Sequence, residues 1–130
     1  MNRKKNQRGF VLITAMVISI LYFALMELLL IDASRALNEA QRFRAHVVAG
    51  TLAESAAELA AFHIVTQTSA TIDKQDSQGT MHGVLVRNDT SFVLQGEGVA
   101  IGAMTQSAKV RVEGRVVGSA LKIDFTSHGE

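Results

Sequence analysis

Hydrophobic and polar positions fall into three regimes along this chain. Residues 1–8 are polar and basic apart from Met1. Residues 10–31, FVLITAMVISILYFALMELLLI, are almost uniformly apolar, and Glu27 is their only carboxylate. A helix of about 20 apolar residues, rising about 1.5 Å per residue, crosses a bilayer. Neither Pro nor Gly interrupts the run, so it predicts a membrane-spanning helix. From residue 32 to about 66 apolar side chains recur at intervals of three and four, which is helical spacing. One stripe is Ala36, Ala40, Phe43, Val47 and Gly50; a second is Val48, Leu52, Ala56, Leu59, Phe62 and Ile64. The intervening residues are mostly Ala, Leu and Glu, strong helix formers. Gly50 costs about 1 kcal/mol in a helix and marks a bend or a close packing point. Arg35 and Glu39 sit four apart, a spacing suited to a weak surface pair.

The third regime has period two. Residues 67–78, QTSATIDKQDSQ, have no apolar period and read as a surface loop. Eight of the ten glycines follow in the last 52 residues, and this shift marks a domain boundary. Val84 and Val86 alternate with Leu85 and Arg87. Asn88-Asp89 reads as a turn, and Ser91-Phe92-Val93-Leu94-Gln95 as the returning strand of a hairpin. Gly96-Glu97-Gly98 is expected to break or bulge that strand. Lys109-Val110-Arg111-Val112-Glu113 alternates cleanly, Gly118-Ser119 suits a two-residue turn, and Leu121-Lys122-Ile123-Asp124-Phe125 reads as the last strand. The expected fold is α+β. A helix over residues 10–66 would carry a small antiparallel sheet of about four strands on its C-terminal half.

Charge fixes the orientation of the span. Arg3, Lys4, Lys5 and Arg8 precede it, and basic flanks stay in the cytoplasm, so the remainder is expected on the far side. A secretory signal has a shorter apolar core, roughly 7–15 residues, closed by a small-residue cleavage site. This run instead passes into Asp32-Ala33-Ser34-Arg35. The net charge is +1. Without the four leader cations, nine basic residues face twelve acidic ones, a balance of −3 that argues against a nucleic-acid surface. There is no cysteine, hence no disulfide, thiolate metal site or Cys nucleophile. His46, His63, His82 and His128 lack metal-ligand spacing. Gly96-Glu97-Gly98 precedes no helix of the kind a phosphate loop needs. Asp73 and Asp76 are too sparse for a calcium loop, and Asn88-Asp89-Thr90 reads as a turn rather than a glycosylation acceptor. No cofactor, metal or catalytic residue is expected.

Arg8-Gly9-Phe10-Val11-Leu12-Ile13, behind a short basic leader and ahead of a span, resembles the prepilin junction of type IV pilins and type II secretion pseudopilins. The resemblance covers mainly residues 3–31. It implies that a prepilin peptidase cuts after Gly9, that residues 1–9 are the leader, and that Phe10 becomes the N-methylated first residue. It implies a pilin-like fold, with residues 10–31 as filament-core helix, 32–66 as amphipathic helix, 67–78 as loop and 79–130 as sheet domain. The implied partners are the peptidase, other pilins or pseudopilins and the inner-membrane assembly platform. The family's major subunits carry Glu as the fifth mature residue, where it pairs with a neighbour's N-terminal ammonium. Here that position is Thr14. A buried ammonium is costly unless paired, so the resemblance is closest to PilX-like minor pilins and K-type minor pseudopilins. These commonly lack the Glu, and a tip or priming position suits its absence. The bland account of Thr14 is a hydroxyl bonded back to a carbonyl one turn earlier.

Glu27 and Arg35 are candidate inter-subunit contacts. Glu27 equally suits a carboxylate tolerated near the membrane interface. The alternative to a filament subunit is an uncleaved bitopic inner-membrane protein whose periplasmic domain binds a partner in an envelope complex. The Gly9-Phe10 junction discriminates the two.

Overall fold

The computed structural model describes the backbone of residues 3–129 and the side chains of residues 9–129. The side chains of Arg3, Lys4, Lys5 and Arg8, the expected leader charges, lie outside the described residues. One helix, α1 (Arg3–Ala61), is followed by five strands. They are β1 (Ser69–Gln75), β2 (Gly79–Asn88), β3 (Ser91–Ala100), β4 (Gln106–Val117) and β5 (Ala120–Gly129). The chain divides into two compact units, Met1–Glu39 and Ala40–Glu130.

The first unit is helical throughout its described residues. Its apolar side chains find no partner within the chain: Phe10 is 72 % exposed and Leu30 75 %. A helix that is apolar on all sides and unburied in water is stable only where the surroundings are themselves apolar.

In the second unit the five strands form one antiparallel sheet in the order β1-β2-β3-β4-β5, a plain meander. Tight turns make three of its four connections. Asp89, at φ 51°, and Gly118, at φ 64°, occupy the left-handed region in the β2-β3 and β4-β5 turns. That region suits Asp or Gly and penalises bulkier residues. The turn between β1 and β2 is held by Asp76, whose Oδ1 accepts from the amides of Gln78 (2.7 Å) and Gly79 (3.0 Å).

The sheet lies on residues 45–60 of α1 through a core of very small side chains. Ala49, Ala53, Ala56 and Ala60 are fully buried. Opposite them stand glycines. A Cβ added at Gly96 would overlap the Ala53 carbonyl oxygen and lie 2.9 Å from the Ala57 amide nitrogen. One at Gly98 would overlap the Ala49 carbonyl and lie 2.5 Å from the Ala53 nitrogen, and one at Gly83 would overlap the Ala56 carbonyl. The helix backbone therefore rests almost directly on the backbones of β2 and β3. Larger side chains close the far end, where Ile64, Leu85, Phe92 and Leu94 pack with Ala60.

Several expectations are corrected. The helix begins at Arg3, inside the segment read as leader, and ends at Ala61 rather than near residue 66. Beyond Ala61 the bonds shorten to three-residue closures, His63 N to Ala60 O (3.1 Å) and Ile64 N to Ala61 O (3.1 Å). The Arg87 guanidinium donates to the Ile64 carbonyl (2.7 Å) and to Asp89 O (3.0 Å), satisfying a carbonyl that a continuing helix would have used. Removing that donor leaves a partly buried carbonyl unpaired, which costs about 1–3 kcal/mol. Arg87→Ala is thus expected to lower the melting temperature by several degrees and to speed amide exchange over residues 62–67; Arg87→Lys should restore part of each.

The sheet has five strands, not about four. Residues 67–78, read as a loop, contain β1, which pairs with β2 from Ser69 opposite Val86 to Gln75 opposite Thr80. Only Ala70 and Ile72 turn inward from it, too little to show as a period. Gly96-Glu97-Gly98 neither breaks nor bulges β3, whose register with β2 and β4 is continuous. Those glycines admit the helix instead. The register shift lies between Glu113 and Gly114 in the pairing of β4 with β5. Gly50 meets nothing within 4 Å and is not a close-packing point. Of the first helical stripe, Phe43 (71 % exposed) and Val47 stay outside the core, as does Phe62 of the second.

Candidate functional site

The predicted site residues all lie on α1, which runs without interruption from the basic segment through Gly9 into the apolar one. Gly9 and Phe10 are exposed, and a Cβ at Gly9 would meet nothing within 4 Å. The Gly9-Phe10 bond is in helical conformation. Glycine is the weakest helix former after proline, by about 1 kcal/mol relative to Ala. Gly9 therefore lowers the cost of drawing the backbone out of the helix at this junction.

Thr14 lies one turn beyond Phe10. Its hydroxyl donates to the Phe10 carbonyl oxygen at 2.9 Å, and Ser19 does the same to Ala15 at 2.9 Å. Both polar groups are satisfied inside their own helix, as apolar surroundings demand.

Glu27 and Arg35 stand eight residues apart on α1, roughly 12 Å along the axis. The fold does not bring them together, and among the described residues no ion pair joins Arg35 to Glu39 either. An 18-residue window within Gly9–Ala61 reaches a mean hydropathy of 2.4, and none of that window is buried. This helix is long and apolar enough to cross a membrane.

Sequence reasoning missed a set of charges on the sheet face turned away from α1. Asp73, His82, Glu97 and Lys109 are consecutive partners across β1, β2, β3 and β4. His82 Nδ1 pairs with Asp73, and Lys109 Nζ lies 3.5 Å from Glu97. Arg111 Nη2 is 2.6 Å from Glu113. Arg115 Nε donates to Asp124 Oδ2 at 2.8 Å and Nη2 to Oδ1 at 3.4 Å. That hydrogen bond holds the Asp124 carboxyl below its usual range against an opposing effect of burial, with help from the charges of Arg115 and Lys122. The same bond, aided by the Asp124 charge, raises Arg115 above its usual value. A depressed carboxyl stabilises the fold above its unfolded pKa, and that contribution is lost as the pH falls through the folded value. The period-two pattern shows which of these residues face outward; their partners depend on strand order, which it leaves open.

Among the described residues no group of three or more His, Asp or Glu side chains is arranged to hold a metal ion. The depressions on the second unit are shallow. One, beside Arg44 and Val48, is closed on its other side by Ile101 and Met104. Comparison with protein-family models, with curated proteins and with solved structures returned no match.

Proposed function

We propose that this chain is a minor pilin or pseudopilin, a structural and assembly subunit of a type IV pilus or a type II secretion pseudopilus. The observation that carries the reading is the junction itself: Arg8-Gly9-Phe10 stands directly before an apolar, unburied helical segment. The α+β arrangement supports it, with the later part of α1 laid on a small antiparallel sheet. On this reading the chain enters the inner membrane with its N-terminus in the cytoplasm and the second unit in the periplasm. A prepilin peptidase cuts after Gly9 and Phe10 is N-methylated. The assembly platform then lifts the subunit into the filament beside other pilins.

Thr14 gives the subunit a minor role. Its hydroxyl is spent on Phe10 O, and it offers no carboxylate to a neighbour's N-terminal ammonium. A subunit with none above it, at the tip where assembly is primed, has no such ammonium to neutralise. Glu27 and Arg35, unpaired with each other, are the charges available to neighbouring helices. The role is structural rather than enzymatic, and it needs no cofactor and no nucleic acid.

The test is the N-terminal residue of the protein recovered from cells that hold the native peptidase, read by intact mass and N-terminal peptide mass spectrometry. A chain beginning at N-methylated Phe10 is expected. A chain beginning at Met1 or Asn2 would remove the filament reading and leave an uncleaved bitopic protein with a periplasmic binding domain.

A further inference from the structure

The later part of α1 covers only part of the sheet face on which it lies. Near Ala45 it packs on Ala100 of β3 and on Ala108 and Val110 of β4. The cluster around Ala60 extends the other way, to Ala70 and Ile72 of β1. The helix thus crosses the sheet on a diagonal. A helix is about 10 Å across and strands lie about 4.8 Å apart, so one helix shields about two strands at a time. The corner left open is the Leu121 end of β5. Leu121 is paired with Val116, which packs against the core, and Ile123 with Gly114, itself paired with the buried Phe92. Partners directly across a ladder share a face. Leu121 (46 % exposed) and Ile123 (63 %) therefore stand on the face that carries α1 and are left uncovered among the described residues.

We propose that this corner is a docking groove for an amphipathic helix of a different protein chain, laid on β4 and β5 beside α1 and basic along one edge. Leu121 and Ile123 form one wall. The flank of α1 forms the other. Leu52 reaches toward Gly79 of β2, so the opposite flank, with Gly50, Glu54 and Ala61, turns toward β4. Ala61 accordingly packs in the cluster that holds Phe92 and Val116. Charge indicates what the groove accepts. Between Ala45 and Ala61, α1 carries two carboxylates, Glu54 and Glu58, and no Lys or Arg. Neither carboxylate has an ion-pair partner among the described residues. Glu54, one turn beyond Gly50, edges the groove, and a complementary helix sets Lys or Arg against it.

A strand added at the edge of β5 fits less well. Asp124 is an extra residue in β5, facing the step from Glu113 to Gly114, and Lys122 and Asp124 place charges on the strand. Bulges and charges are the devices that keep an edge from pairing. The exposed apolar surface lies on the face instead, and the width left beside α1 is about that of one helix, roughly 10 Å. A helix laid by its apolar side into such a groove is a recurrent mode of recognition. The groove itself does not depend on the filament reading. That reading, of a minor subunit at the tip, sets only that the helix comes from a different chain.

The chain has no cysteine, so an introduced one reports alone. Ile123→Cys marks the groove, and Val86→Cys marks the opposite face, where Val86 is similarly exposed. In cells that hold the native machinery, a maleimide should label Ile123→Cys about tenfold more slowly than in the full chain purified in detergent, relative to Val86→Cys in each sample. Glu54→Lys should remove that protection without changing the melt of the purified chain, and Glu54→Asp should keep it. A photoreactive maleimide on Ile123→Cys then names the occupant. The expected adduct is a peptide of a different protein, with apolar residues every three or four positions and Lys or Arg beside them. An adduct with lipid, with this same chain or with a peptide of alternating pattern overturns the proposal. So does the absence of protection, or equal protection of Val86→Cys. The N-terminal residue is read in the same samples. A Phe10 start with an unprotected Ile123→Cys overturns the docking alone, whereas a Met1 start with protection overturns the filament reading alone.

Discussion

Replacing Gly96 with valine is expected to unfold the sheet-bearing unit at ordinary growth temperature. The new Cβ would fall on the Ala53 carbonyl oxygen. That atom is helix backbone and cannot swing aside as a side chain would, so α1 must lift from β3. Overpacking a core costs about 1–3 kcal/mol even where side chains can adjust. A unit of this size has a total stability of roughly 5–15 kcal/mol. Each kcal/mol lost lowers the melting temperature of such a domain by about 4–8 °C. Gly96→Ala, with the same Cβ and no more, should lower it by several degrees, and Gly96→Val should abolish the cooperative transition. Gly50→Ala is the control: the site is open, so the gain in helix propensity should leave stability unchanged or slightly improved. Circular dichroism melts of the detergent-solubilised chain decide the matter. A Gly96→Val protein that melts like wild type would show that the helix and sheet do not approach as described.

The second large effect concerns the junction. On the filament reading, Gly9→Val is expected to leave the chain entirely in its full-length form and out of filaments. The folded chain has no stake in this position, because a side chain there meets nothing within 4 Å. A loss of processing would therefore report the fit of the junction to a peptidase rather than damage to the protein. Immunoblots for chain length in cells with the native peptidase, beside a melt showing unchanged stability, separate the two causes. Unaltered length and unaltered function in Gly9→Val would end the filament reading.

The sequence exposed those parts of the fold in which burial alternates with chain position. β2, β4 and β5 are visible in it because Val, Leu and Ile alternate with polar residues, and the two tight turns because Asn88-Asp89 and Gly118-Ser119 interrupt that alternation. β1 is hidden because its inward side chains are only Ala70 and Ile72. Its strand conformation comes from pairing with β2, a long-range fact that no local window holds. The glycines of β3 were misread for a related reason. Glycine in a strand signals either a bulge or a close approach, and only the position of Ala49 and Ala53 on the partner decides between them. The core-facing side of α1 was blurred likewise. Ala is common on every side of the helix, so Phe43 and Val47 looked like core markers while Ala45 and Ala49 did the packing. At the junction, the order of residues was readable directly, since basic tail, glycine, aromatic and span follow one another along the chain. The bond from Thr14 to Phe10 was readable too, because it spans a single turn.

The contact between α1 and β3 also has a mechanical side. Where large side chains separate a helix from a sheet, a load along the helix axis is first absorbed by rotamer changes and small slips between the layers. Ala49 and Ala53 against Gly98 and Gly96 leave no such cushion, for these residues have no rotamers to change. An axial pull on the helix is thus carried in shear, carbonyl against strand backbone, with little give before the layers part. The joint should be stiff up to a sharp yield, so that residues 45–60 of the helix and the sheet beneath them move as one piece.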